Sequence, residues 1–241
     1  MGTLIVVEGI DGAGKTTQVG LLADALRTAG EEIVLSREPT DGPWGQKIRQ
    51  SAQNGRMAPQ DELAAFIEDR REHVAKVIGP ALAARKIVLL DRYYYSTIAY
   101  QGARGIEPEE LAQRMPQFAP VPDVVLFLDI PPALAIDRIS TSRGDVPNEF
   151  ERIERLTAVR RVFTWLANSD PLVARIAAER SIEEVHRQIV QVLLDGVLAK
   201  YKAKPYPCDC WYCSAGQTDQ CRWLRLAEGL HRGLAFSVPG A

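Results

Sequence analysis

The 241-residue chain is 46% hydrophobic and 25% charged with a net charge of −2, an ordinary globular composition that suffices for one α/β domain with a sizeable core. A pI near 6.0 gives no basic field to hold nucleic acid or an anionic membrane, so neither is expected as a partner. No apolar run reaches the roughly 18 residues of a membrane span, and a strand pattern that starts at Thr3 leaves no room for a signal peptide. A cytoplasmic enzyme is the expectation.

Thr3-Leu4-Ile5-Val6-Val7-Glu8 is short, apolar and β-branched, which predicts a buried parallel strand. Gly9, Ile10, Asp11, Gly12, Ala13, Gly14, Lys15, Thr16 and Thr17 follow it. They fit the phosphate-loop pattern G-x-x-x-x-G-K-[ST] at every fixed position. Gln18 to Ala29 then reads as a helix, so the loop has the strand-to-helix context the motif requires. Glycines let backbone N–H groups close on an anion, and the helix N-terminus adds partial positive charge. Lys15 suits the outer phosphates of a bound nucleotide, and the Thr16 hydroxyl suits Mg²⁺.

Glu32 to Ser36 predicts a second strand that delivers Arg37-Glu38-Pro39 to its carboxyl end, where open α/β sheets bind ligands. A solvent-facing loop arginine is the plainer alternative for Arg37. Gln46 to Ser51 begins a helix, Gly55 to Pro59 breaks it, and Gln60 to Ala84 reads as one long helix. Phe66 and Arg70 stand one turn apart on it, a pairing that can stack a flat ring and bond its edge. From spacing alone, a core Phe66 and a surface Arg70 is the simpler reading. Lys86 to Tyr93 predicts a third strand ending in Asp91-Arg92. There an acidic side chain suits magnesium or its waters, and a guanidinium suits a phosphate. Ser96 to Gly102 is a helical segment with one polar side.

Asp123 to Asp129 predicts the fourth strand, and Pro131-Pro132 opens a helix carrying Ala133 to Ser140. Ser142 to Pro147 is a polar loop, Asn148 to Asn168 an amphipathic helix, and Pro171 to Ile176 a fifth strand. Ser181-Ile182-Glu183-Glu184 is a capping box for a last helix reaching about Leu198. Strands alternating with helices predict a parallel sheet covered on both sides.

These segments, in this order, resemble the thymidylate kinase family over about residues 1–200. The likeness rests on the phosphate loop with Glu8, on Arg37-Glu38-Pro39, on Phe66 with Arg70, and on Asp91-Arg92-Tyr93 with Ser96 and Tyr100-Gln101-Gly102. It implies the three-layer P-loop NTPase fold, with a five-stranded parallel sheet flanked by helices. It also implies a homodimer and Mg²⁺- and ATP-dependent phosphorylation of dTMP to dTDP in dTTP supply for DNA synthesis. By resemblance, Phe66 stacks on thymine, Arg70 bonds its O4, and Ser96, Thr97 and Gln101 line the base pocket. Arg37 and Arg92 then hold the dTMP phosphate, and Asp11 faces the sugar 3′-hydroxyl. The family also needs a mobile arginine, from the loop or from a lid. The loop has none, so Arg143 is the first choice and Arg138 the second, beside Lys15, Arg92 and Asp91 in the catalytic set. Two departures stand out: Thr40-Asp41-Gly42 replaces the glycine pair of many members, and the lid segment Gly144 to Pro147 is not basic.

Lys200 to Pro207 reads as a linker to a 201–241 extension that the resemblance does not cover. It holds all four cysteines, Cys208, Cys210, Cys213 and Cys221. Close spacing in a reduced compartment admits a Zn²⁺ site, with His231 able to replace one thiolate. A redox-active or merely packed group, or a surface for an unknown partner, fits the same residues. Two other functions stay open: a kinase for another nucleoside monophosphate, and a nucleotide-dependent switch, although the N-K-x-D of a guanine switch is missing.

Overall fold

The structure is a computed structural model that describes residues 2–143, 149–201, 226 and 228–230. The early elements are β1 (Thr3–Glu8), α1 (Lys15–Thr28), β2 (Ile33–Arg37), α2 (Pro43–Asn54), α3 (Pro59–His73), a wide π turn (Val74–Ile78), α4 (Gly79–Ala83) and β3 (Ile87–Asp91). Then come α5 (Tyr94–Gly102), α6 (Pro108–Arg114), β4 (Val124–Asp129), α7 (Pro132–Arg143), α8 (Glu149–Ser169), β5 (Val173–Ala177) and α9 (Ile182–Asp195). The chain divides into two compact units, Met1–Lys15 with Val34–Glu179, and Thr16–Ile33 with Arg180–Ala241.

The first unit carries the sheet, in the order β2-β3-β1-β4-β5. The pairings β1–β3, β1–β4 and β4–β5 are parallel. β1 is central and every one of its residues is buried, which is why it has no polar alternation. Helix α8 packs on β4 and β5, and α4 packs on β3. Parallel strands bring Glu8, Asp91 and Asp129 to one edge of the sheet, with the chain leaving β1 at a point where neighbours diverge to either side. Asp129 is held there by Arg160 (2.6 Å) and by Arg175 Nε (2.8 Å), a structural pairing across three elements.

In the second unit, Gln18 of α1 donates to the Ile182 carbonyl (2.9 Å) and its amide oxygen meets His186 Nδ1 (3.2 Å). The capping box at α9 is present: Glu184 N donates to Ser181 Oγ (3.3 Å) and Ser181 N donates to Glu184 Oε2 (3.1 Å). Part of the extension belongs to this unit as packed structure. Leu226 and Leu230 are fully buried, and Gly229 lies so close to Ala29 that a Cβ would fall 2.6 Å from the alanine methyl.

The elements differ from expectation in detail: α2 begins at Pro43 and α7 reaches Arg143, both inside stretches read as loops. Helix α1 begins at Lys15, inside the phosphate loop, rather than at Gln18. The long 60–84 helix is interrupted by the π turn, where Gly79 N bonds Val74 O. Pro80 has no N–H and its ring would strike the carbonyl four residues back, so the turn widens ahead of it. α6 falls in a stretch without a predicted element, with Pro108 at its start and Glu109 and Glu110 in its first turn. α9 stops at Asp195 rather than near Leu198, because Gly196 follows and the chain tightens into a short 3₁₀ turn. Among the described residues, no helix is long and apolar enough to cross a membrane.

Candidate active site

The site grows from the loop after β1. Gly12 has φ +83, and a Cβ there would fall on the Ala135 carbonyl oxygen. Gly14 has φ +88 and faces open space, so the loop keeps a bare backbone where an anion would lie. Lys15 is buried and donates from Nζ to the Ile10 carbonyl (2.8 Å), bridging the loop. Burial lowers its pKa to about 8, with the Arg92 charge acting the same way and Asp11, Asp91 and Glu8 opposing.

Arg92 follows β3 with φ +70, a left-handed conformation that a non-glycine residue adopts only when its surroundings enforce it. Glu8 supplies that enforcement. Its fully buried carboxylate accepts from Tyr93 N (2.7 Å), Ser96 N (3.0 Å) and Ser96 Oγ (2.6 Å). A side chain ending β1 thereby caps α5 and fixes the peptide after Arg92. The guanidinium then reaches Asp11 Oδ1 (2.5 Å), Ser96 Oγ (3.0 Å) and the Gly9 carbonyl (3.4 Å), and lies 5.3 Å from the Tyr100 ring centre. Asp11 has a pKa of about 2: burial would raise it, but Arg92, Lys15, the Tyr100 hydroxyl and Arg155 outweigh that.

Burial pushes the Glu8 carboxyl from 4.5 to about 7, against the Ser96 and Tyr93 hydrogen bonds and the Arg92 charge. Between those values the folded chain holds a proton that the unfolded chain has released, so stability falls as pH rises through this window. Relative to Glu8→Gln, the wild type should lose up to about 3 kcal/mol between about pH 5 and pH 7.5. Urea unfolding at the two pH values measures it, and equal slopes for the two proteins would refute the assignment.

A cavity of about 360 Å³ opens beside this cluster. Asp11, Arg92, Ser96, Tyr100 and Arg155 line it, as do Phe66, Arg70 and Thr97. Arg70 is fully buried, unlike the surface charge that its spacing alone suggests. Its Nε (3.0 Å) and Nη2 (2.6 Å) donate to Glu38 Oε2, and Nη2 also donates to Thr97 Oγ1 (3.0 Å). The other Glu38 oxygen meets His73 Nδ1 (3.0 Å), whose Nε2 meets Ser36 Oγ (2.9 Å). Thr40 holds the neighbouring loop, donating from N (2.8 Å) and Oγ1 (2.6 Å) to Asp69.

The structure thus brings Asp11, Phe66, Arg70, Arg92, Ser96 and Thr97 to one cavity, with Gln101 buried one turn beyond Thr97. It does not bring Arg37 there: that side chain is exposed and donates to Asp41 (3.0 Å), while Arg49, which lines the cavity, shares Asp41 and bonds the Pro39 carbonyl (3.0 Å). Arg138 does not line the cavity either. The side chain of Arg143 lies outside the described ones, as do the four cysteines and His231. Among the described residues no group of three His, Cys, Asp or Glu side chains could hold a metal ion. Glu62 and Arg155 are functional candidates that sequence reasoning missed, while Glu8, Glu38 and Tyr100 entered it only as motif residues without a role. For Glu8 a signal existed, a carboxylate closing an otherwise apolar buried strand.

The thymidylate kinase family model matches residues 7–189. The thymidylate kinase of Desulfotalea psychrophila is 50% identical over 190 residues, 78% of this chain and 93% of the relative. That of Xanthomonas euvesicatoria is 47% identical over 196 residues, 80% of this chain and 86% of the relative. The crystal structure of the Ehrlichia chaffeensis thymidylate kinase superposes with a TM-score of 0.63 at 30% identity, covering 80% of this chain and 98% of that one. On sequence, fold and the residues gathered at the sheet edge, the chain belongs to the thymidylate kinase family.

Proposed function

We propose that this arrangement performs the ATP-dependent phosphorylation of dTMP to dTDP, with one cavity holding the acceptor by both its ends. The observation that carries the reading is the sharing of one cavity by Phe66 and Arg70 with Arg92 and Ser96. The first pair suits a flat base with a carbonyl edge, and the second suits a phosphate. An acceptor phosphate monoester has a second pKa of about 6, so it arrives mostly as the dianion and needs little base catalysis. One of its oxygens attacks the γ-phosphorus of ATP, the bond to the β–γ bridging oxygen breaks, and ADP leaves. The protein's task is to bring two anions together in line. Lys15 serves the outer phosphates of ATP, and Arg92 serves the acceptor. Arg155 adds positive charge on the Asp11 side of the cavity.

Magnesium suits the same chemistry. Asp91 ends β3 as a hard oxygen donor, and its charge acts on both Lys15 and Arg92. The Thr16 hydroxyl, next to Lys15 in the loop pattern, is the second candidate ligand. The ion would offset the charge of the polyphosphate. Arg143 stays the proposed lid cation, with Arg155 beside the cavity as its partner. A cytoplasmic homodimer completes the reading, supported by family membership alone.

The test is ADP release from ATP and Mg²⁺ with dTMP, dUMP, dGMP, dCMP or no acceptor. Stimulation by dTMP above the other acceptors is expected. Release indifferent to every monophosphate would overturn the reading.

A further inference from the structure

Glu38 follows β2, lines the cavity and is 5% exposed. Its two bonds from Arg70, from Nε (3.0 Å) and Nη2 (2.6 Å), converge on a single oxygen, Oε2. A guanidinium that meets both oxygens of a carboxylate fixes the plane of the pair. Two bonds to one oxygen leave the carboxylate able to swing about it. The second oxygen, Oε1, is held by His73 Nδ1 (3.0 Å). His73 ends α3, one turn after Arg70, and is 3% exposed. Its ring supplies the constraint that the arginine does not.

The hydrogen in that bond follows from the chemistry of the two groups. A carboxylate oxygen accepts, so Nδ1 carries the hydrogen. In the neutral ring Nε2 is then an acceptor, and the Ser36 hydroxyl donates to it (2.9 Å). A line of fixed partners thus runs from Ser36 through His73 and Glu38 to Arg70 and on to Thr97. On Arg70, which lines the cavity, Nε and Nη2 give their hydrogens to Glu38 and Thr97. Nη1 meets the Met115 sulfur (3.5 Å), a weak acceptor, and keeps a hydrogen for a ligand.

Resting on the dTMP kinase reading, we propose that His73 is a positioning residue for acceptor binding. Its Nδ1 hydrogen locks the Glu38 carboxylate, and the locked carboxylate aims Arg70 at the cavity. His73 does not line the cavity; it touches neither the acceptor nor the reacting atoms and acts through Glu38.

The test compares His73→Asn with His73→Gln in the full chain, by steady-state kinetics with dTMP and ATP varied in turn. The asparagine amide nitrogen stands where Nδ1 stands and can donate to Glu38. The glutamine amide reaches instead to the place of Nε2, beside Ser36. His73→Gln should raise the KM for dTMP about tenfold, with kcat and the KM for ATP within about threefold of wild type. His73→Asn should keep the KM for dTMP within about threefold of wild type. A side chain that only fills space would give the reverse order, because glutamine is nearer to histidine in volume and asparagine leaves the larger void. Equal KM values for the two variants, the reverse order, or a loss in kcat instead of KM overturns the proposal. If neither variant folds, the wild-type ring carries the test. With isotope-labelled histidine in the full chain, NMR shifts of the His73 ring nitrogens should place a hydrogen on Nδ1. A ring whose only hydrogen is on Nε2 overturns the proposal. The wild-type kinetics separate the two claims: without stimulation by dTMP the functional reading fails and the proposal falls with it, whereas stimulation with no difference between the variants sinks the proposal alone.

Discussion

Arg92→Ala should lower kcat/KM for dTMP by about 10³-fold, the size expected when a preorganised cation is removed from a transferring phosphoryl group. The guanidinium is aimed by contacts on every side: Asp11, Ser96 and the Gly9 carbonyl as acceptors and the Tyr100 ring alongside. Burial works against its charge, but Tyr100, Asp11, Glu8 and Asp91 more than compensate, so it stays cationic at any working pH. Its backbone is held in the left-handed region by the Glu8 bonds to the next residues. Alanine keeps that backbone and loses the reach. Lysine should recover only part of the rate, because one ammonium cannot repeat the forked contacts to Asp11 and Ser96. Steady-state kinetics with dTMP varied, alongside a melting curve to confirm folding, decides it. A loss below about tenfold would move the acceptor phosphate away from Arg92.

Lys15→Met should lower kcat by about 10³-fold or more, with a smaller change in KM for dTMP, because the lysine acts on charge that develops between the nucleotides. The wild-type lysine also sets a pH limit. With its pKa lowered to about 8 in the free chain, it loses its proton as pH rises through that value. The kcat/KM for ATP should therefore decline above about pH 8. The profile of kcat should hold to higher pH, because bound polyphosphate restores the ammonium's charge. A flat kcat/KM profile up to about pH 10 would show that Lys15 keeps an ordinary pKa.

What could be read in advance follows the range of the forces. The strand β1, the loop after it and the capping box at Ser181 depend on neighbours in sequence, and their patterns match the structure closely. Phe66 and Arg70 do share one helix face at the cavity, but spacing alone favoured a surface Arg70 and only the fold buries it. The partners of the carboxylates were hidden for the opposite reason. Glu8 meets Tyr93, Glu38 meets Arg70, and Glu62 meets Arg104. Only the fold brings these partners together; in sequence, a glutamate in a helix or beside a proline is indistinguishable from a solvated charge. Arg37 shows the converse. Its place at a strand's end promised a ligand, but Asp41, four residues on, takes its guanidinium in an exposed loop. The π turn was written in Gly79-Pro80, though a periodicity reading passes over a single displaced residue.

The bond between Asp11 and Arg92 has a consequence for competition. The carboxylate already stands where a small anion would be drawn, and its own charge is secured by Lys15 and Arg155 as well as by Arg92. Inorganic phosphate or sulfate entering the cavity must compete with Asp11 for Arg92, and neither ion has a flat ring to lay beside Phe66 and Arg70. On the proposed reading, a nucleotide offsets the loss with contacts elsewhere in the cavity. Inorganic phosphate up to tens of millimolar should therefore inhibit little at low dTMP, as initial rates would show.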